Sequence, residues 1–177
     1  MNADLQNLFD ELEIQRKKTL DSLEALSHEQ LNKAPFPGKW SAAQIVSHLV
    51  TAEQLSLRYM QKKVQGIKEA PDSGLWEELK ISLLKISQRL PGLKFKAPKG
   101  VVENMAQYED LVTMTLEWDK VRRELKSLLE KIPDNLVKRK IYRHAIAGYL
   151  NVKQSLLFFR EHIIHHTPQI KKLLNQN

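Results

Sequence analysis

Six histidines occur in the chain, and the spacing of three of them is suited to chemistry. His162 and His166 are four residues apart, so on a helix their side chains share one face, one turn apart. They fall within the apolar stripe Phe159, Ile163, Ile170 and Leu173, which directs them inward. His48 lies between Ile45 and Ala52, at offsets of three and four, and is directed inward from a different segment. Burying an imidazole without a partner costs about 1–3 kcal/mol, and an imidazolium costs more. A shared divalent cation would satisfy all three rings at once, because neutral imidazole nitrogen is a good ligand for zinc, nickel or iron. Three protein ligands leave positions open for water or substrate, as in catalytic rather than structural sites. Hydrogen-bonded core histidines would show the same spacing. The pattern alone leaves both readings standing.

The other polar residues near these positions carry plainer expectations. His165 is about 60° off the line joining His162 and His166, which places it at the rim of any such site. Gln169 lies near the ligand face, within reach of a ligand or of water on a metal. His28 reads as an exposed first-turn residue, and His144 as a surface loop position in preference to one lining a pocket mouth. Glu53 and Glu161 are candidates for supporting a ligand from behind, but solvated surface positions suit each of them better.

These side chains must be positioned by helices, because the hydrophobic period is helical almost throughout. A first stripe (Leu5, Leu8, Phe9, Leu12, Leu20, Leu23, Leu26) predicts a helix over about 2–26. Ser27 and Gln30 have capping-box spacing, but Pro35 and Pro37 stop any helix there after a short turn. Trp40-Ser41-Ala42-Ala43-Gln44-Ile45 is a stronger start signal, with Ser41 at the N-cap and Gln44 at N3, and Trp40 placed to staple onto Ile45. The helix it opens should run to about Val64, turning Ile45, Leu49, Ala52, Leu55 and Tyr59 inward. Another helix is expected over 74–90, then a long connection through 104. A third long helix is expected over about 107–131, carrying Tyr108, Leu111, Leu116, Val121, Leu125 and Leu128. The segment 134–150 reads as irregular, and Asn151 caps a last helix to about Leu174. Pro168 sits inside that helix and should kink or loosen it, because the carbonyl of Ile164 loses its partner. Four long amphipathic helices and one shorter helix make an all-α, four-helix bundle with a crossover connection, in a single domain over 1–177.

Composition narrows the chemistry further. The 177 residues are 42% hydrophobic and 28% charged, ordinary globular usage with room for a sizeable core. Cysteine is absent, which excludes disulfides, cysteine-ligated zinc, iron–sulfur clusters and a thiol nucleophile from the protein itself. No apolar run approaches the ~20 residues of a membrane span, and the N-terminus is amphipathic rather than signal-like. A cytoplasmic location is the expectation. The net charge of +7 is spread along the chain and interleaved with acids, without the aromatic-studded basic motif of a nucleic-acid binder. Solvated helix faces, or an anionic small molecule, account for it better. No paired carboxylates, Ser-His-Asp order or phosphate-binding glycine loop offers a competing mechanism.

The Trp40-Ser41, Ile45 and His48-Leu49 run resembles the DinB/YfiT-like superfamily. So do Gly148 and the string Phe159-Arg160-Glu161-His162-Ile163-Ile164-His165-His166 with Gln169-Ile170, and Phe95-Lys96-Ala97-Pro98 before the third helix suits it too. The resemblance covers essentially the whole chain. It implies a four-helix bundle, often a homodimer, that holds a divalent transition metal (zinc, nickel, iron or manganese) through His48, His162 and His166. It further implies a metal-dependent enzyme, since described relatives include bacillithiol S-transferases, mycothiol-dependent isomerases and metal-dependent hydrolases. The nucleophile would be water or a thiolate on the metal, and with no cysteine a thiol route needs a low-molecular-weight cosubstrate. Two other classes remain: a metal-dependent small-molecule binding module without turnover, and a non-metal helical interaction protein.

Overall fold

The computed structural model describes residues 1–89, 97–108 and 110–175. Its four longest helices form where the apolar stripes lie and begin where a side chain satisfies a free amide of the first turn. Helix α1 (Ala3–Asp21) is capped by Asn2 and buries Leu5, Phe9, Leu12 and Leu20. It ends short of residue 26, and the turns after it still bury Leu23. The short α2 (His28–Asn32) grows from the Ser27–Gln30 capping box. In α3 (Ala42–Val64) the Gln44 amide donates to Ser41 Oγ at 3.2 Å, and the Ser41 amide donates to Gln44 Oε1 at 2.9 Å. This reciprocal cap fixes the start of the helix that carries His48.

After α4 (Leu75–Arg89) and the single-turn α5 (Lys99–Val102), α6 (Leu111–Glu130) starts at Asp110, whose carboxylate accepts from the Thr113 amide at 2.7 Å. That start is later than residue 107. Leu116 does not join the buried stripe and is 60% exposed. Met114, Trp118, Val121, Leu125 and Leu128 hold the inner face, and Leu116 lies about 200° around the helix from Met114. Of the expected connection over 90–104, Gly92, Phe95 and Lys96 lie outside the described residues.

The segment 134–150 is ordered rather than irregular. A 3₁₀ turn (Asp134–Leu136) leads into an antiparallel hairpin of β1 (Lys140–His144) and β2 (Gly148–Asn151). Arg143 pairs with Tyr149 and His144 with Gly148, so three residues form the loop, and Gly148 closes it with a φ of +77°. Such loops end in a left-handed residue, which glycine adopts without a Cβ clash. Buried Ile141, Tyr142 and Leu150 anchor the hairpin against α3 and α7.

Helix α7 (Val152–Leu174) starts from an Asn151–Gln154 capping box and runs unbroken through Pro168. Its inner residues on either side of the proline, Ile163, His166, Ile170 and Leu173, stay packed. α1 packs on α7, α7 on α3, α3 on α6, and α6 back on α1. The long helices therefore close a ring in which α1 and α3 face each other across one diagonal, and α6 and α7 across the other. The connection from α1 to α3 and that from α6 to α7 cross the bundle, whereas the path through α4 and α5 joins neighbours. No helix among the described residues is long and apolar enough to cross a membrane.

One buried polar network holds α3 in place. Glu53 accepts from Trp118 Nε1 and from Arg122, each at 2.8 Å, and Arg122 also lies 3.2 Å from Glu13 on α1. Glu53 is 2% exposed, so the expectation of a solvated surface group is overturned: a guanidinium and an indole from α6 compensate its burial. Burial pushes the Glu53 carboxyl up and the Arg122 guanidinium down, and each opposes the other's shift. Glu161 is likewise buried and not a solvated surface group, held by Arg89 at 2.7 Å and Arg160 at 2.9 Å. Burial raises its carboxyl, but the two guanidiniums outweigh that and hold it below the usual carboxylate range.

Candidate metal centre

The cap on α3 and the ring order of the bundle bring His48 against the face of α7 that carries His162 and His166. The three ring centroids form a nearly equilateral triangle, with sides of 5.0, 5.1 and 5.0 Å. His48 Nε2 lies 3.1 Å from His162 Nε2, and one nitrogen from each ring falls within 4.8 Å of the other two. His48 and His166 are buried, while His162 is half-buried and opens onto a cavity of about 870 Å³.

Among the described residues, no carboxylate lines that cavity to pair with a protonated ring. Burial, with a smaller contribution from His165, lowers the His48 pKa to about 4. Burial and the proximity of His48 lower His166 to about 3, against an opposing hydrogen bond from Gln169. Burial, then His166 and His48, holds His162 well below its ordinary value. All three rings are neutral at pH 7 and offer lone pairs.

These donors fit a divalent transition metal. Ligand nitrogens about 2.0–2.1 Å from a common centre stand roughly 2.8–3.0 Å apart in a facial set and roughly 3.3–3.4 Å apart in a tetrahedral one, and the 3.1 Å separation of His48 and His162 falls between the two. A single hydrogen bond between those two nitrogens would leave His166 Nε2 outside it, although the ring lies equally close. His48 Nδ1 is buried and has no partner among the described residues in either case. Gln169 Oε1 lies 3.1 Å from His166 Nδ1, so the amide oxygen accepts from Nδ1–H and leaves the lone pair of Nε2 free. The sequence placed Gln169 near the ligand face, and the structure gives it that partner.

Aromatic rings flank the three histidines. The Trp40 ring lies 5.0 Å from His48, and Phe158 stacks on His162 at 5.5 Å. His165 is half-buried at the edge, its ring 5.1 Å from that of His166, as expected of a rim residue. His28 is exposed and stands apart from this wall. His144 takes the pocket-lining position and not the surface one: it ends β1, is only 9% exposed, and lines the cavity. Tyr142, Arg143 and Phe158 also line it, and none was singled out by the sequence reading. The available signal was the Ile141-Tyr142 and Tyr149-Leu150 pairs flanking a glycine, a hairpin pattern.

The DinB superfamily model matches residues 11–170, and the chain belongs to that superfamily. Among solved structures it is similar to YfiT from Bacillus subtilis, described as "a probable metal-dependent hydrolase with an unusual four-helix bundle topology". That similarity has a TM-score of 0.61 at 15% identity, covering 99% of this chain and 89% of the other, and it establishes the shared fold. No curated protein matches the chain at a significant level.

Proposed function

We propose that the chain is a metal-dependent hydrolase of small molecules, with His48, His162 and His166 holding the metal. The observation that carries this reading is the convergence of three neutral imidazoles, two with Nε2 atoms 3.1 Å apart, on a cavity to which no described residue brings a carboxylate. Bound there, a zinc-class ion would supply Lewis-acid polarisation of a carbonyl or phosphoryl oxygen and lower the pKa of water to about 7. Gln169 orients the His166 ring, while Trp40 and Phe158 narrow the access of bulk water and give an apolar surface for the substrate body. The YfiT likeness favours hydrolysis, and transfer to a low-molecular-weight thiol is the competing outcome of the same assay.

The test begins with elemental analysis of untagged protein, as purified and after chelation and reloading. About one equivalent of zinc, nickel, iron or manganese is expected, with thermal stability lost on chelation and restored on reloading. His48→Ala, His162→Ala and His166→Ala should each sharply reduce metal content, whereas His165→Ala and His28→Ala should not. Full occupancy in a His48→Ala, His162→Ala double variant would remove the ligand assignment. Ester, amide and phosphoester panels, with and without added thiols, then separate hydrolase from S-transferase. Failure of every panel under excess metal leaves a binding module.

A homodimer is part of the proposal. Leu75, Trp76, Leu79, Leu83 and Ile86 recur along α4 and are 47–89% exposed, an apolar stripe, with the Lys80 ammonium over the Trp76 ring, that the same stripe of a second copy would cover. Light scattering that reports a monomer at high concentration, identical for wild type and Trp76→Glu, would overturn it.

A further inference from the structure

His144 lines the cavity, but it is not one of the three clustered histidines and has a different environment. The three-residue loop after it folds back so that the amides of Ile146 and Ala147 lie 3.1 and 3.0 Å from His144 Nδ1. Backbone N–H groups only donate, so Nδ1 must be the acceptor and carry no proton. A neutral imidazole has one N–H, which therefore sits on Nε2. Protonating Nδ1 would turn it against two amide donors at once. The ring is also 9% exposed and packed edge-on to Phe158 at 4.3 Å, surroundings that disfavour an imidazolium. Among the described residues nothing accepts from Nε2–H.

The remaining polar wall has the same sign. Lys39, Arg143 and Lys172 line the cavity, and among the described residues no aspartate or glutamate does. Among those residues, too, none of these three cations has an ion-pair partner, and Arg143 rests over the Tyr149 ring at 5.8 Å. A wall of N–H donors and cations beside an aromatic surface complements an oxygen-bearing anion with an apolar body.

We infer that His144 is a ligand-binding donor of this cavity, fixed by the Ile146 and Ala147 amides as the Nε2–H tautomer and donating to an oxygen of a carboxylate-bearing small molecule. This rests on the cavity being the functional site and does not require a metal in it. The ligand's apolar part lies against Trp40 and Phe158, and Lys39 and Lys172 attract its charge. His144 acts here by donating a hydrogen bond. The arrangement makes it neither a metal ligand nor a general base.

Two measurements on the full chain test this. Long-range ¹H–¹⁵N correlation on histidine-labelled protein, assigned with His144→Gln, should report the Nε2–H tautomer for His144 at neutral pH; an Nδ1–H tautomer or an imidazolium overturns the inference. Benzoate is then titrated into wild type, His144→Phe and His162→Ala, with backbone spectra checking that each variant is folded. Saturable binding is expected to move the His144 signal and to weaken about tenfold or more in His144→Phe. An unmoved signal, or wild-type affinity in His144→Phe, overturns it. Binding kept in His162→Ala and lost in His144→Phe upholds this inference even if the metal reading fails. Loss in His162→Ala with retention in His144→Phe assigns the carboxylate to the three-histidine group and removes the role given to His144.

Discussion

Replacing Glu53 with alanine tests the link between the bundle and its site. Glu53 accepts two hydrogen bonds of 2.8 Å, from Trp118 and Arg122, and both Glu53 and Arg122 are 2% exposed. The substitution leaves a buried indole N–H without its acceptor and a buried guanidinium with only Glu13, 3.2 Å away. Removing one partner of a buried ion pair costs about 3–5 kcal/mol, because the other charge remains desolvated. For a chain of this size each kcal/mol lowers Tm by about 2–4 °C, so a fall of roughly 6–20 °C is expected. Urea denaturation at pH 7 should show a lower midpoint with an unchanged slope. A Glu53→Met, Arg122→Met double variant removes both charges and should be more stable than Glu53→Ala alone. Glu53 does not line the cavity, so metal per folded molecule should be unchanged. A cost under about 1 kcal/mol for Glu53→Ala, or a double variant no better than the single, would refute the argument that this pair stabilises α3 against α6.

The site itself supports three more tests. His48 at about 4 and His166 at about 3 lie below the ordinary histidine value near 6.5, so between those values the folded chain binds fewer protons than the unfolded chain. Metal-free protein should therefore hold its full stability above about pH 6.5 and lose it progressively as pH falls toward 4, and urea midpoints that stay level from pH 7.5 to 5 would contradict this. Gln169→Ala frees His166 Nδ1 from its 3.1 Å partner and should weaken metal affinity about 10–100-fold with little change in metal-free stability, read by competition with a chromophoric chelator. Gly148→Ala forces an L side chain into a φ of +77° and should cost about 1 kcal/mol or more, with a parallel loss of the His144 tautomer if the loop opens; wild-type stability would show that the loop tolerates the strain.

What could be read from the chain divides by the distance over which each determinant acts. The starts of α3 and α7 and the inward aim of His48, His162 and His166 depend on residues within a turn or two of each position. Capping boxes and stripes express them directly. The roles of Glu53 and Glu161 depend on arginines 69 and 72 positions away, at Arg122 and Arg89. Local pattern classed both carboxylates as surface groups because Arg122 and Arg89 come from other helices. Leu116 misled for the opposite reason: it is apolar, yet α6 starts at Asp110 and packs with Met114 and Trp118 inward, which turns Leu116 to the outer face.

His144 is the case where local and distant determinants must combine. Its loop is short and closed by Gly148, so the hairpin was readable from the flanking apolar pairs. The chemistry of the ring comes from that turn: two amides fix the proton on Nε2, and Phe158, fourteen residues along the chain, buries the face that would otherwise meet water. A histidine in a loop invites a reading as a titrating surface group. The same residue at the end of a strand, with both amides of the turn on Nδ1, is a neutral donor facing the cavity. On the proposed reading, ligand binding in the cavity depends on a turn geometry as well as on the three clustered histidines, and substitutions at Gly148 should change it without altering His48, His162 or His166.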